Sequence, residues 1–384
     1  MKNCTRKNAV STAAAVAIIV LIGAAVIVGA IAVSFYALGR NPFSGTTSST
    51  STISQSSSKS QSSSTSALIV NLSLENSPDY LAYDSSNGDI YVTYTNSSIL
   101  SVLSGASYEV IANISVTSYS PGGMIFDPSN GDVYATLQNF TDPISSGWVY
   151  VISGATNKVV AIIDVGQYPS GLTLDSQNNC VYVANYDSDN VSVINGTTNE
   201  IVSTIGVGNN SPLGIAYDSS NGYIYVANSN YPNNSGTISV IAGSNDAVIQ
   251  TLPLLEEPSE IAFDPSNHYL YVTMESPSDP SAGSVYVING ATNKEVASIQ
   301  NELSDPTQIT FESYNGYVYV TNSETSGYVT VIDTSSVIAT ITVGANPAGM
   351  AFDPTSKYLY VANYGSNTIS VIYAPSDSLV ATIS

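Results

Sequence analysis

The chain has 384 residues, of which 29 are acidic and 8 are basic, so its formal net charge is −21. Charged residues make up 10% of the chain, against about 25% in ordinary soluble proteins. Binding to nucleic acid needs clustered lysine and arginine to neutralise phosphates, and the sequence has no such cluster. A nucleic-acid partner is therefore excluded.

The N-terminal residues have the features of a membrane segment. Residues 1–8 form a basic tip with Lys2, Arg6 and Lys7, and residues 9–39 contain no charged side chain. A membrane-spanning helix needs about 20 apolar residues, whereas the apolar core of a secretory signal has about 7–15. Because the basic residues precede the span, we predict a single-pass protein of the cell membrane with a cytoplasmic N-terminus and an extracellular remainder.

The same segment has a second interpretation. The order of basic residues, Ala9, "VST" and a long apolar helix resembles the class III signal of archaeal pilins. This resemblance implies cleavage after Ala9 with the helix retained, and assembly into a homo-oligomer or filament.

Residues 40–66 are rich in serine and threonine, which account for 18 of the 23 residues from Ser44 to Ser66. Such a stretch buries too little apolar surface to fold, so it predicts a linker. The Asn-x-Ser/Thr pattern marks candidate glycosylation sites on the external part. These are Asn71, Asn96, Asn113, Asn139, Asn190, Asn195, Asn209 and Asn233.

Residues 67–384 contain a repeat that occurs seven times, with a tyrosine as its anchor in strings such as "NGYVYVTNS" at 315–323. An acidic residue lies seven positions before each tyrosine, and a proline lies six positions before each acidic residue. The tyrosines are Tyr91, Tyr134, Tyr182, Tyr225, Tyr271, Tyr319 and Tyr360. The acidic residues are Asp84, Asp127, Asp175, Asp218, Asp264, Glu312 and Asp353. This constant register indicates one structural unit used seven times.

Each unit predicts four short strands, A to D, rich in valine, isoleucine and tyrosine and separated by turn residues. Four strands in 41–48 residues is the pattern of a β-propeller blade. We therefore predict an all-β, seven-bladed β-propeller with four antiparallel strands per blade. One N-terminal transmembrane helix and a Ser/Thr-rich linker precede it.

Strand-D patterns number eight, because "ALIVNLSL" at 67–74 and "LVATIS" at 379–384 are both candidates for the outer slot of blade seven. We expect the ring to close within the chain, with one of the two strands outside as a fifth strand. The alternative is that one strand pairs with another molecule.

The "YVTN" at 319–322 and the "YVAN" at 182–185, 225–228 and 360–363 resemble the YVTN-type β-propeller repeats of archaeal surface-layer-like proteins. The resemblance covers residues 67–384. It implies a seven-bladed propeller outside the cell, and it does not imply one particular activity.

The seven acidic residues of the repeat could form a ring at one end of the A strands and hold a cation. The simpler explanation is that each accepts hydrogen bonds from backbone NH groups of its own A–B turn. The only histidine, His268, occupies a turn position that holds glycine in four of the other repeats. We therefore predict no metal site, no cofactor and no Ser-His-Asp catalysis.

One position of strand A differs between blades. Four residues before the acid, glycine occurs in four blades, whereas Tyr80, Glu260 and Gln308 occur in blades one, five and six. These three residues would face the mouth of the central channel. Lactonase propellers hold an axial metal with Glu, Asn and Asp side chains, so this polar sector raises the alternative of a lactonase-like propeller enzyme with an axial metal.

The B–C connections are the most variable part of the repeat. From the strand-B tyrosine to the strand-C valine the distance ranges from 11 to 17 residues, and it is longest in blades two, four and five. Long loops on one face of a rigid scaffold are where binding usually resides. The candidate ligand-binding residues there are Phe140, Asp142, Trp148, Tyr231, Asn233, Glu275 and Asp279.

These observations favour a non-catalytic protein rather than an enzyme. We expect a cell-surface-anchored extracellular propeller that serves as a binding or surface-layer module, with surface glycans or surface-layer proteins as partners. The filament subunit and the lactonase-like enzyme remain the two alternatives.

Overall fold

The computed structural model describes residues 68–70, 74, 77–138, 147–208, 211–229, 235–275 and 282–384. The predicted transmembrane helix at 9–39 and the linker at 40–66 lie outside the described residues. Within the described ranges, no helix has the length and apolar character needed to cross a membrane.

The described residues form a seven-bladed propeller, as predicted, with four antiparallel strands per blade. The strands of blades one to three are β2 (Pro78–Tyr83), β3 (Asp89–Tyr94), β4 (Ser97–Ser104), β5 (Val110–Asp127), β6 (Asp132–Gln138), β7 (Trp148–Ser153), β8 (Lys158–Asp164), β9 (Pro169–Asp175), β10 (Cys180–Asn185), β11 (Asn190–Asn195) and β12 (Glu200–Gly206). Strand β5 serves as strand D of blade one and strand A of blade two. These two blades therefore share one continuous sheet.

Blades four to seven each have four separate strands. These are β13 (Pro212–Asp218), β14 (Tyr223–Asn228), β15 (Gly236–Ala242), β16 (Ala247–Leu254), β17 (Glu257–Asp264), β18 (Tyr269–Glu275), β19 (Ser284–Asn289), β20 (Lys294–Ile299), β21 (Pro306–Phe311), β22 (Val318–Asn322), β23 (Tyr328–Asp333), β24 (Ser336–Thr342), β25 (Pro347–Asp353), β26 (Tyr358–Asn363), β27 (Thr368–Tyr373) and β28 (Ser378–Ile383). Two short 3-10 helices, Tyr186–Ser188 and Ala374–Ser376, lie in connections.

The hydrophobic core of the described residues is divided into seven clusters that each lie between two neighbouring blades. Two residues before the acid, strand A mostly carries a small side chain such as Ala262, and the residue after it is bulky, such as Phe311 in the next blade. Because successive residues of a strand face opposite sides, each blade presents a small face to the bulky face of its neighbour. The repeat is thus a requirement of packing between blades.

The anchor tyrosine of strand B explains why the "YVTN" string recurs. Each of the seven tyrosines is fully buried, and in most blades its hydroxyl reaches the C–D turn of the next blade. The Tyr182 hydroxyl donates to Asp246 Oδ1 at 3.0 Å, and the Tyr319 hydroxyl donates to Asp377 Oδ1 at 2.7 Å. Both acceptors have a positive φ, which Asp and Asn tolerate better than other non-glycine residues. One side chain therefore joins two blades by packing and by a hydrogen bond.

Both candidate strands for the outer slot of blade seven belong to the sheet of that blade. Strand β28 takes the ordinary strand-D position and pairs antiparallel with β27. Strand β1 (Leu68–Val70) adds outside it as a parallel fifth strand, with Leu68 opposite Ala381. The expectation of a fifth strand within the same chain is confirmed.

The acidic residues of the repeat have the structural role predicted by the simpler explanation. Asp84 Oδ1 accepts from the backbone NH of Ser86 at 2.8 Å, and Asp218 Oδ1 accepts from that of Ser220 at 2.8 Å. Corresponding bonds occur in the other five blades. These carboxylates stabilise the A–B turns.

Candidate axial site

A cavity of about 220 Å³ lies on the propeller axis. Its wall consists of strand-A residues from all seven blades, near the end of each strand that follows the proline. The B–C and D–A connections lie on this face of the propeller, and the A–B and C–D turns lie on the opposite face. We call the first the mouth face and the second the turn face.

The cavity has two kinds of lining. Three polar side chains, Tyr80, Glu260 and Gln308, form a sector contributed by blades one, five and six. A ring of seven aliphatic side chains, one from each blade, lies one residue further along strand A. This ring consists of Leu81, Met124, Leu172, Ile215, Ile261, Ile309 and Met350.

A β-bulge presents each of the polar side chains. In blade five, Pro258 pairs with Met274 and Ile261 pairs with Val272, so that two residues of strand A lie opposite the single residue Thr273. Corresponding register shifts occur in blades one and six. A bulge re-aims a side chain and leaves the backbone groups of the extra residue without a ladder partner.

A strand-B threonine supplies the missing partners at each of these bulges. Thr273 Oγ1 accepts from the backbone NH of Glu260 at 2.9 Å and lies 3.4 Å from its carbonyl oxygen. Thr321 does the same for Gln308, at 3.0 and 3.3 Å. Thr93 serves Tyr80, at 3.2 and 3.3 Å. Blades three, four and seven have alanine in place of this threonine and glycine at the bulge. The motif "YVT" therefore occurs in the blades that have a polar residue at the bulge, and the motif "YVA" occurs in blades that have glycine there. Blade two is the exception, because it has the threonine together with glycine at the bulge.

The glycine of blade four supports Glu260 directly. A Cβ atom added to Gly214 would lie 2.5 Å from Glu260 Cα and 2.8 Å from Glu260 Oε2. Glycine is needed here because a strand of the neighbouring blade approaches closely. Gly214 thus defines the space in which the carboxyl group lies.

Glu260 is one of two neighbouring carboxyl groups with raised pKa. Burial, with a smaller contribution from the charge of Glu275, raises the pKa of Glu260 to about 8. Burial also raises the pKa of Glu275 to about 7, although a hydrogen bond with Ser259 opposes this and the charges of Asp305 and Glu257 add to it. Groups that titrate near neutral pH can exchange protons during catalysis.

Tyr80 is the second ionisable side chain of the polar sector. Burial raises the pKa of the Tyr80 phenol well above its ordinary value, and the nearby Asp79, Glu260 and Tyr168 add to the effect. The phenol therefore remains a hydrogen-bond donor. Asp79 accepts a hydrogen bond from Thr95 Oγ1 at 2.7 Å, and burial raises its pKa to about 6 despite that bond. Tyr168 has a φ of 54°, an uncommon conformation for a bulky residue.

These residues do not fit an axial metal held by Glu, Asn and Asp. The cavity lining provides one carboxyl group, one amide and one phenol, and four of the seven blades contribute glycine at the same position. In the part of the chain that the structure describes, no group of three or more His, Cys, Asp and Glu side chains is placed to hold a metal ion. A hard cation prefers six or more oxygen ligands, several of them carboxylates.

The predicted site residues fall into two groups. The structure places Tyr80, Glu260 and Gln308 together in the lining of the axial cavity, and it makes Glu275, which was predicted in the blade-five loop, the last residue of strand β18. Trp148 was also predicted in a loop, but it begins strand β7 and lies half-buried opposite Leu137. The remaining loop candidates lie outside the described residues. They are Phe140, Asp142, Tyr231, Asn233 and Asp279.

Four of the eight glycosylation candidates lie within the described residues, and four lie outside them. Asn96 and Asn113 are exposed, and Asn190 and Asn195 at the ends of β11 are half-buried with side chains in local hydrogen bonds. Asn71, Asn139, Asn209 and Asn233 lie outside the described residues.

Comparison with protein families connects this propeller to enzymes. The model of the SMP-30/Gluconolactonase/LRE-like region matches residues 50–276. The chain belongs to the SMP-30/gluconolactonase/LRE-like family. The model of the seven-bladed β-propeller lactonases matches residues 274–383, so the two matches together span the propeller of this SMP-30/gluconolactonase-like chain.

These matches correct two predictions made from the sequence. The prediction of a non-catalytic surface module and the prediction that the protein is not an enzyme are both wrong, because both matching families are lactonase-type propellers. The family matches support the β-propeller part of the resemblance, and they do not identify the YVTN surface-layer family. The apolar segment and the linker bear on where the chain acts, and they carry no information on what it does.

A search of curated proteins gives no match. Among solved structures, hydrazine synthase of Kuenenia stuttgartiensis aligns with a TM-score of 0.67 and 17% sequence identity, covering 82% of this chain and 99% of that one. At that identity the likeness shows the propeller fold alone.

Proposed function

We propose that this protein hydrolyses lactones, the cyclic esters of hydroxy acids, in its axial cavity. Two independent facts support the proposal. The chain belongs to a gluconolactonase-type family, and its cavity carries polar side chains at three bulges and glycine at the four others. The observation that carries it is the position of Glu260, a carboxyl group whose pKa burial raises to about 8, in the lining of the axial cavity together with Tyr80 and Gln308.

The roles of the three side chains follow from their chemistry. Ionised Glu260 is the general base, because a carboxylate with a pKa near the working pH accepts a proton efficiently. Tyr80 and Gln308 are hydrogen-bond donors for the substrate carbonyl oxygen, whose negative charge grows in the transition state. The pKa of Tyr80, raised by burial and by neighbouring carboxylates, keeps its hydroxyl protonated for this role.

The reaction balances with water as the only co-reactant. Glu260 takes a proton from water as the water oxygen bonds to the carbonyl carbon, and the carbonyl electron pair moves to the oxygen held by Tyr80 and Gln308. The tetrahedral intermediate then breaks its bond to the ring oxygen, which takes the proton from Glu260. The product is an open-chain hydroxy acid, and the base is restored.

The test is lactone hydrolysis by the full chain in detergent. Proton release from γ- and δ-lactones at pH 8.5 would be followed for the wild type, for Glu260→Gln and for the control Glu295→Gln, which changes an exposed residue of strand β20. We expect saturable hydrolysis that Glu260→Gln reduces about 10²–10⁴-fold, the usual contribution of a general base, with no change in the control. A wild-type rate equal to the spontaneous rate, or to that of Glu260→Gln, would overturn the proposal.

The location of the enzyme is a separate proposal. The apolar segment 9–39, the Ser/Thr-rich linker 40–66 and the resemblance to YVTN-type repeats support an extracellular propeller anchored in the cell membrane, with its partners at the cell surface. Mass spectrometry of protein from native membranes tests it. An intact N-terminus favours a simple anchor, and a mature N-terminus at Val10 favours the filament-type assembly.

A further inference from the structure

The residue directly before the proline of strand A has a left-handed backbone conformation in five of the seven blades. In each of these blades its carbonyl oxygen accepts a hydrogen bond, at 2.9–3.1 Å, from the backbone NH group of the residue that follows strand B. The five residues are Ser77, Tyr168, Ser211, Asp305 and Asn346, with φ values between 47° and 59°. The fold therefore imposes this conformation whatever side chain is present.

Tyr168 is the exception among these five residues, because its side chain is bulky. The other four have short polar side chains, and Asp and Asn are the residues that tolerate the left-handed region best after glycine. A bulky residue there is a conformational outlier. Such strain persists where the surrounding structure enforces it, and it is concentrated at ligand-binding and active sites.

The ring of Tyr168 belongs to none of the seven clusters that form the hydrophobic core of the described residues. Its centroid lies 5.9 Å from that of Tyr186, whose ring is also outside those clusters, and the two planes are tilted by 55°. Both side chains are half-buried. We call these two residues the tyrosine pair. Packing of the core does not account for a tyrosine at this strained position.

Hydrogen bonds between two connections hold the tyrosine pair on the mouth face of blade three. Tyr168 ends the connection that follows β8, and Tyr186 begins the B–C connection with a 3-10 helix. The backbone NH of Gln167 donates to Ser188 Oγ at 2.7 Å, and its carbonyl oxygen accepts from the NH of Asp187 at 3.3 Å. The pair is therefore a fixed surface of the mouth face.

The tyrosine pair borders the axial cavity on the side where the blades have glycine at the bulge. The carbonyl oxygen of Pro169, directly after Tyr168, is 2.3 Å from the position that a Cβ atom on Gly122 would take, and Gly122 lines the cavity. The phenol of Tyr168 is also close enough to Tyr80 to raise its pKa. The A strands follow one another around the axis in chain order, so blade three lies across the axis from blades six and seven. Tyr168 is thus on the far side of the mouth from Gln308.

We propose that Tyr168 is a substrate-binding residue, whose ring packs against the face of the lactone ring while the ester group lies beside Glu260, Tyr80 and Gln308. This inference rests on the proposed function and adds a residue that positions the substrate. Because the face of a lactone ring consists of C–H groups, its burial against an aromatic ring stabilises the complex. The contact is equal in the ground state and the transition state, so it lowers KM and leaves kcat unchanged.

The test measures kcat and KM of the full-length protein for δ-valerolactone at pH 8.5, together with the melting temperature. In Tyr168→Ser we expect KM to rise about tenfold and kcat to stay within about twofold. The melting temperature should stay within about 3 °C of the wild type, because relief of the strained conformation offsets the lost ring contact. Serine also occurs at this position in blades one and four, so the fold accepts it.

Two further variants control for the ring and for the loss of a tyrosine as such. Tyr168→Phe retains the ring and should keep the wild-type KM. Tyr314→Ser removes a tyrosine that is 51% exposed in an A–B turn of the turn face, and it should change neither kcat nor KM.

The outcomes separate this inference from the proposed function. A wild-type KM in Tyr168→Ser, or a KM in Tyr168→Phe as high as that of Tyr168→Ser, would overturn the role of the ring and leave lactone hydrolysis standing. A fall in kcat together with a lower melting temperature would also overturn it, because that result assigns Tyr168 a structural role.

If no lactone is hydrolysed, calorimetric binding of δ-valerolactam, the amide analogue of the lactone ring, decides. Binding that is about tenfold weaker in Tyr168→Ser than in the wild type supports the role of Tyr168 while lactone hydrolysis fails. Equal binding by the two proteins, or no binding by the wild type, overturns both proposals.

Discussion

Blades four and five have the same four strands and the same bulge, but they make different contributions to the axis. In blade four the bulge carries Gly214 opposite Ala227, and in blade five it carries Glu260 opposite Thr273. The added threonine hydroxyl bonds both the backbone NH and the backbone carbonyl oxygen of the glutamate itself, whereas the glycine leaves room for that glutamate. The comparison shows that the repeat places one bulge residue of strand A from each blade next to the axis. The identity of that residue decides whether the blade only leaves space in the cavity or contributes a reactive side chain to it.

The strongest test of this comparison converts blade five into a blade of the glycine type. The double variant Glu260→Gly/Thr273→Ala should fold, with a loss of about 1–2 kcal/mol from the missing hydrogen bonds and the added glycine. Its kcat/KM for lactones should fall about 10²–10⁴-fold, because the general base is absent. Denaturant melts and initial rates measure the two effects separately.

The control for that variant is Thr136→Ala in blade two. Thr136 Oγ1 donates to the carbonyl oxygen of Ser170 at 2.8 Å beside a glycine bulge, so its loss should cost similar stability and no activity. An equal loss of activity in the control would mean that the loss in the double variant reflects general destabilisation and not the missing base.

The second prediction concerns the glycine that faces the glutamate. In Gly214→Ala, the new methyl group would collide with the backbone and carboxyl group of Glu260 and displace the base. A displacement of about 1 Å can cost about 10²-fold in rate, and we expect a loss of that order in kcat/KM. The matched variant Gly206→Ala has open space around its Cβ position and should retain full activity. Equal rates in the two variants would contradict the assigned position of Glu260.

The third prediction is a shift of the pH profile. With Glu260 as the base, kcat/KM should rise with pH through a midpoint of about 8. In Glu275→Gln the repelling charge is removed, so the pKa of Glu260 falls and the midpoint moves to lower pH. It should remain above the ordinary value of 4.5, because burial is the larger cause of the shift. An unchanged midpoint would show that Glu275 does not act on the base.

The fourth prediction concerns stability. Asp79, Glu275 and Glu260 have folded-state pKa values of about 6, 7 and 8, raised chiefly by burial. A carboxyl group with a raised folded-state pKa stabilises the fold below its unfolded pKa, and this contribution is lost as pH rises through the folded value. The melting temperature should therefore fall between pH 4 and pH 9. The double variant Glu260→Gln/Glu275→Gln should flatten the decline above pH 6, and an unchanged slope would contradict these pKa values.

The architecture could be predicted from the sequence because it depends on what the seven copies share. The tyrosines packed between blades, the small and bulky pair of strand A and the acid of the A–B turn recur for the same physical reasons in every blade. Residues such as Tyr182 are therefore recognisable from the repeat pattern alone. The fifth strand β1 was also expected, although its parallel pairing with β28 was not.

The site was predicted only in part, because it depends on where copies differ. Tyr80, Glu260 and Gln308 were found as departures from glycine. The prediction missed Tyr168, although a bulky residue directly before a strand-A proline was a usable signal. Glu275 was assigned to a loop, because the residue pattern of the repeat does not show that β18 extends to it. The lactonase-like enzyme was kept only as an alternative to a non-catalytic module, because the chain has one histidine and no metal-ligand pattern. A single carboxyl group at a β-bulge gives no motif of regularly spaced residues that could be recognised in the sequence.

The most direct test of the central claim is the rate of lactone hydrolysis by the wild-type full chain before and after dialysis against a chelator. The claim is that Glu260, Tyr80 and Gln308 suffice, since the lining of the described cavity lacks the ligand set of an axial metal. We predict hydrolysis at the same rate after chelation, with no gain when calcium or zinc is added back. Hydrolysis that disappears on chelation and returns with the metal, or no hydrolysis at all, would contradict the account.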